Sequence, residues 1–202
     1  MVHNFFIFYK TFFVFFMTVM LNVYCQPQNK SDLLNQYYFG FRKVLEKSPI
    51  NHFNDCKKII KYFERYYNIP ANLLAAISLV ESGQKPWVIN RNGHGYCFPN
   101  AKSLSSFLKK KPLGKVKCAY VGCMQICYRT HSKNRYFKNK NDLFKPYYNI
   151  GYAAKHLSDL KKRYGSWKKA VGYYNSCNTK KANRYIYKVR KAYSKIKNKN
   201  SI

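Results

Sequence analysis

Apolar residues recur every three or four positions in segment after segment of this chain, and nowhere do they alternate over the length that a half-buried strand needs. That rhythm restricts the 202 residues to a mainly α architecture. It leaves room for a small hairpin near residues 92–122, where Asn92, Gly93 and Gly95 mark turns. Leu33, Leu34, Tyr37, Tyr38, Phe41, Val44 and Leu45 outline a first helix, interrupted by Gly40. Ile59, Ile60, Phe63 and Tyr67 form the stripe of a second, beginning at Asp55. Ser103 to Lys110 is a short third candidate. After Pro146, Tyr147, Ile150, Ala154, Leu157 and Leu160 repeat at helical spacing as far as Gly165. Ser166 then caps a helix with Trp167, Ala170, Val171 and Tyr174 inward, and Ala182, Tyr185, Ile186, Val189 and Tyr193 line one side of a last helix, Lys181 to Ile196. A chain of this length suits one domain with an ordinary core.

The run from Ile69 to Gly83 is the best bounded of these segments. Pro70 suits a first helical turn and Gly83 a stop, with Leu73, Leu74, Ile77 and Val80 between them. Glu81 lies four residues after Ile77, so its carboxylate leaves the last turn on or beside the apolar face. Desolvation there raises a carboxyl pKa toward neutrality, which a general acid requires. The alternative is a helix-end Glu that curls into water.

Lys and Arg total 38 against seven Asp and Glu, a net charge of +31, so an anionic polymer or surface is the expected partner. No Gly-rich phosphate loop, heptad run or internal repeat accompanies this charge, and the basic last helix carries no nucleic-acid motif; no nucleic-acid partner is expected. Residues 1–25 differ sharply from the rest: Lys10 precedes an almost wholly apolar run from Thr11 to Tyr24. This fits a secretory signal better than a spanning helix, which needs about 20 apolar residues. Cleavage after Cys25 would leave no stable membrane span and a periplasmic or secreted protein. Lipid attachment at Cys25 and an uncleaved anchor stay open as alternatives. An oxidising compartment could pair the six remaining cysteines. The pairs expected are Cys97 with Cys118, closing a polar excursion, and Cys56 with Cys177, tying an early helix to a late one. Cys123, Cys127 and His131 repeat every four residues and could share a helical face, but three ligands do not complete a closed structural zinc site, and no metal is expected.

Four short motifs stand in one order. They are Glu81, Ser82 and Gly83; Gly122, Cys123, Met124, Gln125 and Ile126; Asn149 and Ile150 with Ala153 and Leu157; and Ala170 and Val171 with Tyr174, Asn175 and Ser176. In these the chain resembles the lytic transglycosylases of the soluble-lytic-transglycosylase type, which share the goose-type lysozyme fold, and especially the small wall-opening members associated with secretion systems. The resemblance covers roughly residues 55–193. It implies a lysozyme-like α+β fold with residues 1–25 as signal, 26–54 as a helical extension, 55–193 as the catalytic domain and 194–202 as a basic tail. Glu81 becomes the catalytic acid and base, with Ser82 its motif neighbour, Gln125 a sugar contact, Tyr174 the tyrosine near the acid and Asn175 its companion, and Ser82, Gln125, Tyr174 and Asn175 are the residues expected to touch substrate. Gly122, Met124 and Asn149 are structural members, Asn149 read as a capping amide at a helix start. Cys123 departs from the usual aliphatic residue, and Ser176 and Cys177 stand where many members have Ala and Gly.

Ordinary glycoside hydrolysis uses two carboxylates, the nucleophile about 5 Å from the acid or the base farther away. The remaining acids offer little. Asp32, Glu46, Asp55 and Glu64 are placed on polar faces of early helices, Asp142 at a helix start, and Asp159 among Lys161, Lys162 and Arg163. The resemblance implies a one-carboxylate route that needs no metal or organic cofactor. The substrate is the glycan strand of peptidoglycan, and a secretion or conjugation apparatus is a further partner. A hydrolytic lysozyme on the same fold, a non-catalytic cationic wall-binding protein, and an exported cationic protein binding nucleic acid or membrane are the competing readings.

Overall fold

The chain enters its first described helix, α1 (Cys56–Tyr66), through Asp55, whose carboxylate accepts the Lys57 backbone N–H at 2.9 Å. The computed structural model describes residues 55–114, 116–117, 119–132, 136–137 and 139–199. The expected signal, the helical extension and Cys118 lie outside the described residues. On α1, Ile59, Ile60 and Phe63 form the buried stripe that the spacing predicts. Glu64 corrects the reading of a polar face, because it is only 6 % exposed. It accepts the backbone N–H groups of Asn72 at 3.0 Å and Ala75 at 3.1 Å, at the start of the next helix, α2 (Leu73–Ser82). Those first-turn amides have no partner within their own helix, so a carboxylate from a neighbouring helix satisfies them and meets the positive end of the helix dipole.

α2 begins at Leu73, not at Pro70. Asn72 adopts a left-handed backbone with φ of 70°, and the Leu73 N–H closes a turn onto the Pro70 carbonyl at 3.0 Å, which places the proline before the helix. The end is where the glycine sets it. Gly83 has φ of 64° and donates to the Leu79 carbonyl at 3.1 Å.

The hairpin expected near residues 92–122 begins earlier, at Val88, and is part of a larger sheet. β1 (Val88–Arg91) and β2 (His94–Cys97) are joined by Asn92 and Gly93, both at positive φ. β3 (Ala119–Val121) pairs with the other edge of β1, and β4 (Ile126–Cys127) pairs with β3, giving an antiparallel sheet in the order β2-β1-β3-β4. Between β2 and β3 lies α3 (Ala101–Lys110), which starts before Ser103 because the Asn100 side chain accepts the Ser103 N–H at 2.9 Å.

A short α4 (Tyr128–His131) and a 3-10 turn (Lys140–Phe144) lead to α5 (Pro146–Tyr164). Tyr147, Ile150, Ala153, Ala154 and Leu157 of α5 are at most 1 % exposed, so this helix is the axis of the core. α1 packs on it, as does α6 (Trp167–Asn175), capped by Ser166. The last helix, α7 (Thr179–Lys199), starts before Lys181, runs past Ile196, and lies across both α2 and α6.

The cysteine pairing differs from the expected one. Cys56 bonds to Cys123, with a Cα–Cα distance of 6.8 Å, and not to Cys177. Cys97 is a free, exposed thiol whose expected partner, Cys118, lies outside the described residues, and Cys177 and Cys127 are free as well. The reason is spatial. Cys56 and Cys123 are both buried, where α1 meets the turn after β3, whereas Cys177 follows α6 at the surface. Nor do Cys123, Cys127 and His131 share a helical face, because they fall in a turn, in β4 and at the end of α4.

Candidate active site

Glu81 sits in the last turn of α2, half-buried, and burial raises its pKa above the ordinary carboxylate value. Two groups oppose that rise. The Tyr185 hydroxyl on α7 donates to Glu81 Oε1 at 2.5 Å, and the Lys188 ammonium favours the charged form. Tyr185 is itself only 6 % exposed. Burial raises the phenol's pKa well above normal, and Glu81 raises it further, so Tyr185 stays a proton donor to the carboxylate. Tyr185 was legible only as an inward-facing residue of the last helix. Its partner stands 104 residues earlier, beyond what periodicity can reveal.

The turn of residues 122–125, which follows β3, is built on four independent anchors. Gly122 has φ of +75°, and a Cβ there would fall 2.6 Å from the Asn149 side chain, so glycine alone fits. Asn149, fully buried, donates Nδ2 to the carbonyls of Val121 at 2.9 Å and Leu143 at 3.1 Å, while its Oδ1 accepts the Met124 N–H at 3.0 Å. It therefore does not cap its own helix; it stitches the turn to α5. The carbonyl of Cys123 receives the Ser82 hydroxyl at 2.8 Å and the Ser78 hydroxyl at 3.2 Å, both from α2. Tyr174 on α6 donates to the Met124 carbonyl at 2.9 Å. The disulfide ties Cys123 to α1.

These bonds locate the residues that the motifs singled out. Tyr174 lies beside Glu81; burial raises its pKa well above normal, and the charge on Glu81 raises it again. Gln125 holds a left-handed backbone with φ of 46° and donates Nε2 to the Gly122 carbonyl at 3.0 Å. Met124 is fully buried beneath the turn. Ser82 has its hydroxyl committed to Cys123, and Asn175 stands exposed at the end of α6, outside the bonds that link α2, the turn and α7. Behind Tyr174, His131 Nδ1 and the Tyr152 hydroxyl are 2.7 Å apart. The His156 ring lies 5.5 Å from that of His131 and 5.9 Å from that of Tyr174. Burial, with His131 nearby, lowers the His156 pKa to about 4, so the cluster is neutral at physiological pH.

Each other described acid has a structural partner. Asp55 caps α1 and Glu64 meets the start of α2. Asp142 forms a capping box with Asn139 and an ion pair with Lys145 at 2.9 Å, and Asp159 pairs with Lys155 at 2.6 Å. Among the described residues, Glu81 is the acid whose side-chain bond goes to a tyrosine in a site instead of to a helix end or a lysine.

Comparisons with curated proteins and with solved structures found no match. Residues 58–198, more than half of the chain, match the family model described as Transglycosylase SLT domain. The helices around a small antiparallel sheet, with Glu81 at the end of α2, have the lysozyme-like α+β arrangement, and the chain belongs to the transglycosylase SLT domain family, the lytic transglycosylases of peptidoglycan.

Proposed function

We propose that the protein cleaves the β-1,4 bond between N-acetylmuramic acid and N-acetylglucosamine and leaves 1,6-anhydromuramoyl ends, with Glu81 as its single catalytic carboxylate. The observation that carries this reading is the setting of Glu81: burial favours its protonated form, and each of the other described acids has a structural partner. Protonated Glu81 gives its proton to the glycosidic oxygen as the bond to C1 breaks, and the leaving sugar departs with a hydroxyl. The substrate's own acetamido carbonyl stabilises the cationic anomeric carbon. Glu81, now a carboxylate, takes the proton of the muramoyl C6 hydroxyl, whose oxygen closes on C1. Atoms balance without water, so no second carboxylate is needed.

Tyr185 holds the orientation of Glu81, Tyr174 fixes the turn beside the acid through its bond to the Met124 carbonyl, and Gln125 is the sugar contact that the motif resemblance suggests. Asn175, exposed at the end of α6, is a substrate contact on the motif resemblance alone. Ser82, expected to touch substrate, is assigned here to holding the turn, because its hydroxyl is already bonded. Export is supported by the disulfide, and among the described residues no helix is long and apolar enough to cross a membrane. Local opening of the wall for a secretion or conjugation assembly is the setting that the motif resemblance suggests.

The test is a digest of purified peptidoglycan with mass spectrometry of the released muropeptides. The expected result is anhydro ends, with Glu81→Gln slower by about 10²–10⁴-fold. Reducing ends would overturn the one-carboxylate route in favour of a hydrolase, and intact polymer would overturn catalysis altogether.

A further inference from the structure

The face of α2 that turns away from Glu81 borders a second cleft. Leu79 and Glu81 are two positions apart, about 200° around the helix axis, and Leu79 with Ile60 and Ile69 forms the apolar floor of a cleft of about 910 Å³ between α1, α2 and the end of α7. Lys57, Lys61 and Arg65 stand along one wall at intervals of four residues, a stripe about 12 Å long. Lys195 faces them from α7. All four are exposed, and none has an ion-pair partner among the described residues. The carboxylate that also borders the cleft, Glu64, is turned to the Asn72 and Ala75 amides, which leaves the rim cationic.

A concave site with cations on both walls and aliphatic side chains below selects an extended chain that carries both carboxylates and short apolar side chains. It has no aromatic side chain in its lining, so it lacks the stacking surface on which nucleic-acid bases bind. Its concavity does not suit a flat lipid headgroup layer. The peptide stems of peptidoglycan have the required chemistry. We propose that this cleft is a second, non-catalytic site that binds the carboxylate-bearing peptide of the wall polymer, with Arg65 forked onto a carboxylate and Lys57, Lys61 and Lys195 as point charges. The assignment of the polymer rests on the function proposed above. The cleft retains the enzyme on the polymer between cuts, because it lies away from the acid and can stay occupied while the glycan is exchanged.

The test titrates the oxidised protein with a soluble stem peptide from peptidoglycan, its carboxylates free or amidated. Lys57→Gln/Lys61→Gln/Arg65→Gln is compared with a control that removes the same charge from α3, Lys102→Gln/Lys109→Gln/Lys110→Gln. The expected result is a dissociation constant about tenfold higher for the cleft triple, little change for the control, and loss of affinity on amidation. The cleft triple should still cut peptide-free glycan strands at the wild-type rate while losing retention on insoluble wall. Equal weakening in both triples would overturn the site in favour of bulk charge. Unchanged binding in the cleft triple, binding that survives amidation, or an equal loss of affinity for a single-stranded oligonucleotide or for anionic vesicles would overturn it too. If wild-type protein leaves peptide-free glycan uncut, the catalytic reading fails, and the peptide titration still decides the cleft.

Discussion

At the scale of single residues, burial raises the Glu81 pKa and the contact with Tyr185 pulls it back. The hydroxyl donates to the carboxylate and favours its charged form, so removing it raises the Glu81 pKa further. The protonated acid is needed at the start of the reaction, and kcat/KM falls as pH rises through that pKa. Tyr185→Phe should therefore move the alkaline limb of the kcat/KM profile to higher pH and lower the rate at neutral pH about tenfold, as the carboxyl loses its orientation. A rate loss with an unmoved limb would show that Tyr185 acts by packing alone. Gly122→Ala is expected to cost about 1–3 kcal/mol by combining a left-handed φ with a Cβ driven into Asn149, measured as a lower midpoint in urea unfolding. Glu81, Gln125, Tyr174 and Asn149 could be singled out because short motifs surround them, though the stitching role of Asn149 could not. Tyr185 and the capping role of Glu64 were not legible, because each is defined by an atom on another helix. A stripe pattern says which way a side chain points, not what waits there.

At the scale of elements, the disulfide fastens the turn of residues 122–125 to α1, and the turn in turn meets α2 and α6. Cys56→Ala/Cys123→Val, which restores an aliphatic residue to the motif, should lower stability by about 2–4 kcal/mol, with the same loss on reduction of the wild-type protein. The measurement is unfolding with and without a dithiol. Equal midpoints in the two conditions would show that the bond adds nothing to the fold. The helices were readable, since five turns of α5 repeat one stripe and Gly83 and Gly165 mark their stops. Of the sheet, the turn residues announced only a hairpin near residues 92–122, and the bounds and number of its strands were not readable, since segments of two to four residues cannot display an alternation. The cysteine pairing followed neither order nor spacing, because the packing of α1 against the turn decided it.

At the scale of the whole molecule, a net charge of +31 draws the protein to anionic polymer from a distance, an attraction that salt screens over about 8 Å at physiological strength. Specific retention needs a shaped site as well, which the cleft beside α2 supplies. The bond between residues 81 and 185 also orders events in time. A growing chain that has reached Ser176 already contains every motif residue, yet its acid has no hydroxyl to hold it. The hydroxyl reaches the carboxylate only when α7 lies across α2 and α6. A chain that lacked this last helix would keep every motif residue and lose the hydroxyl that orients its acid.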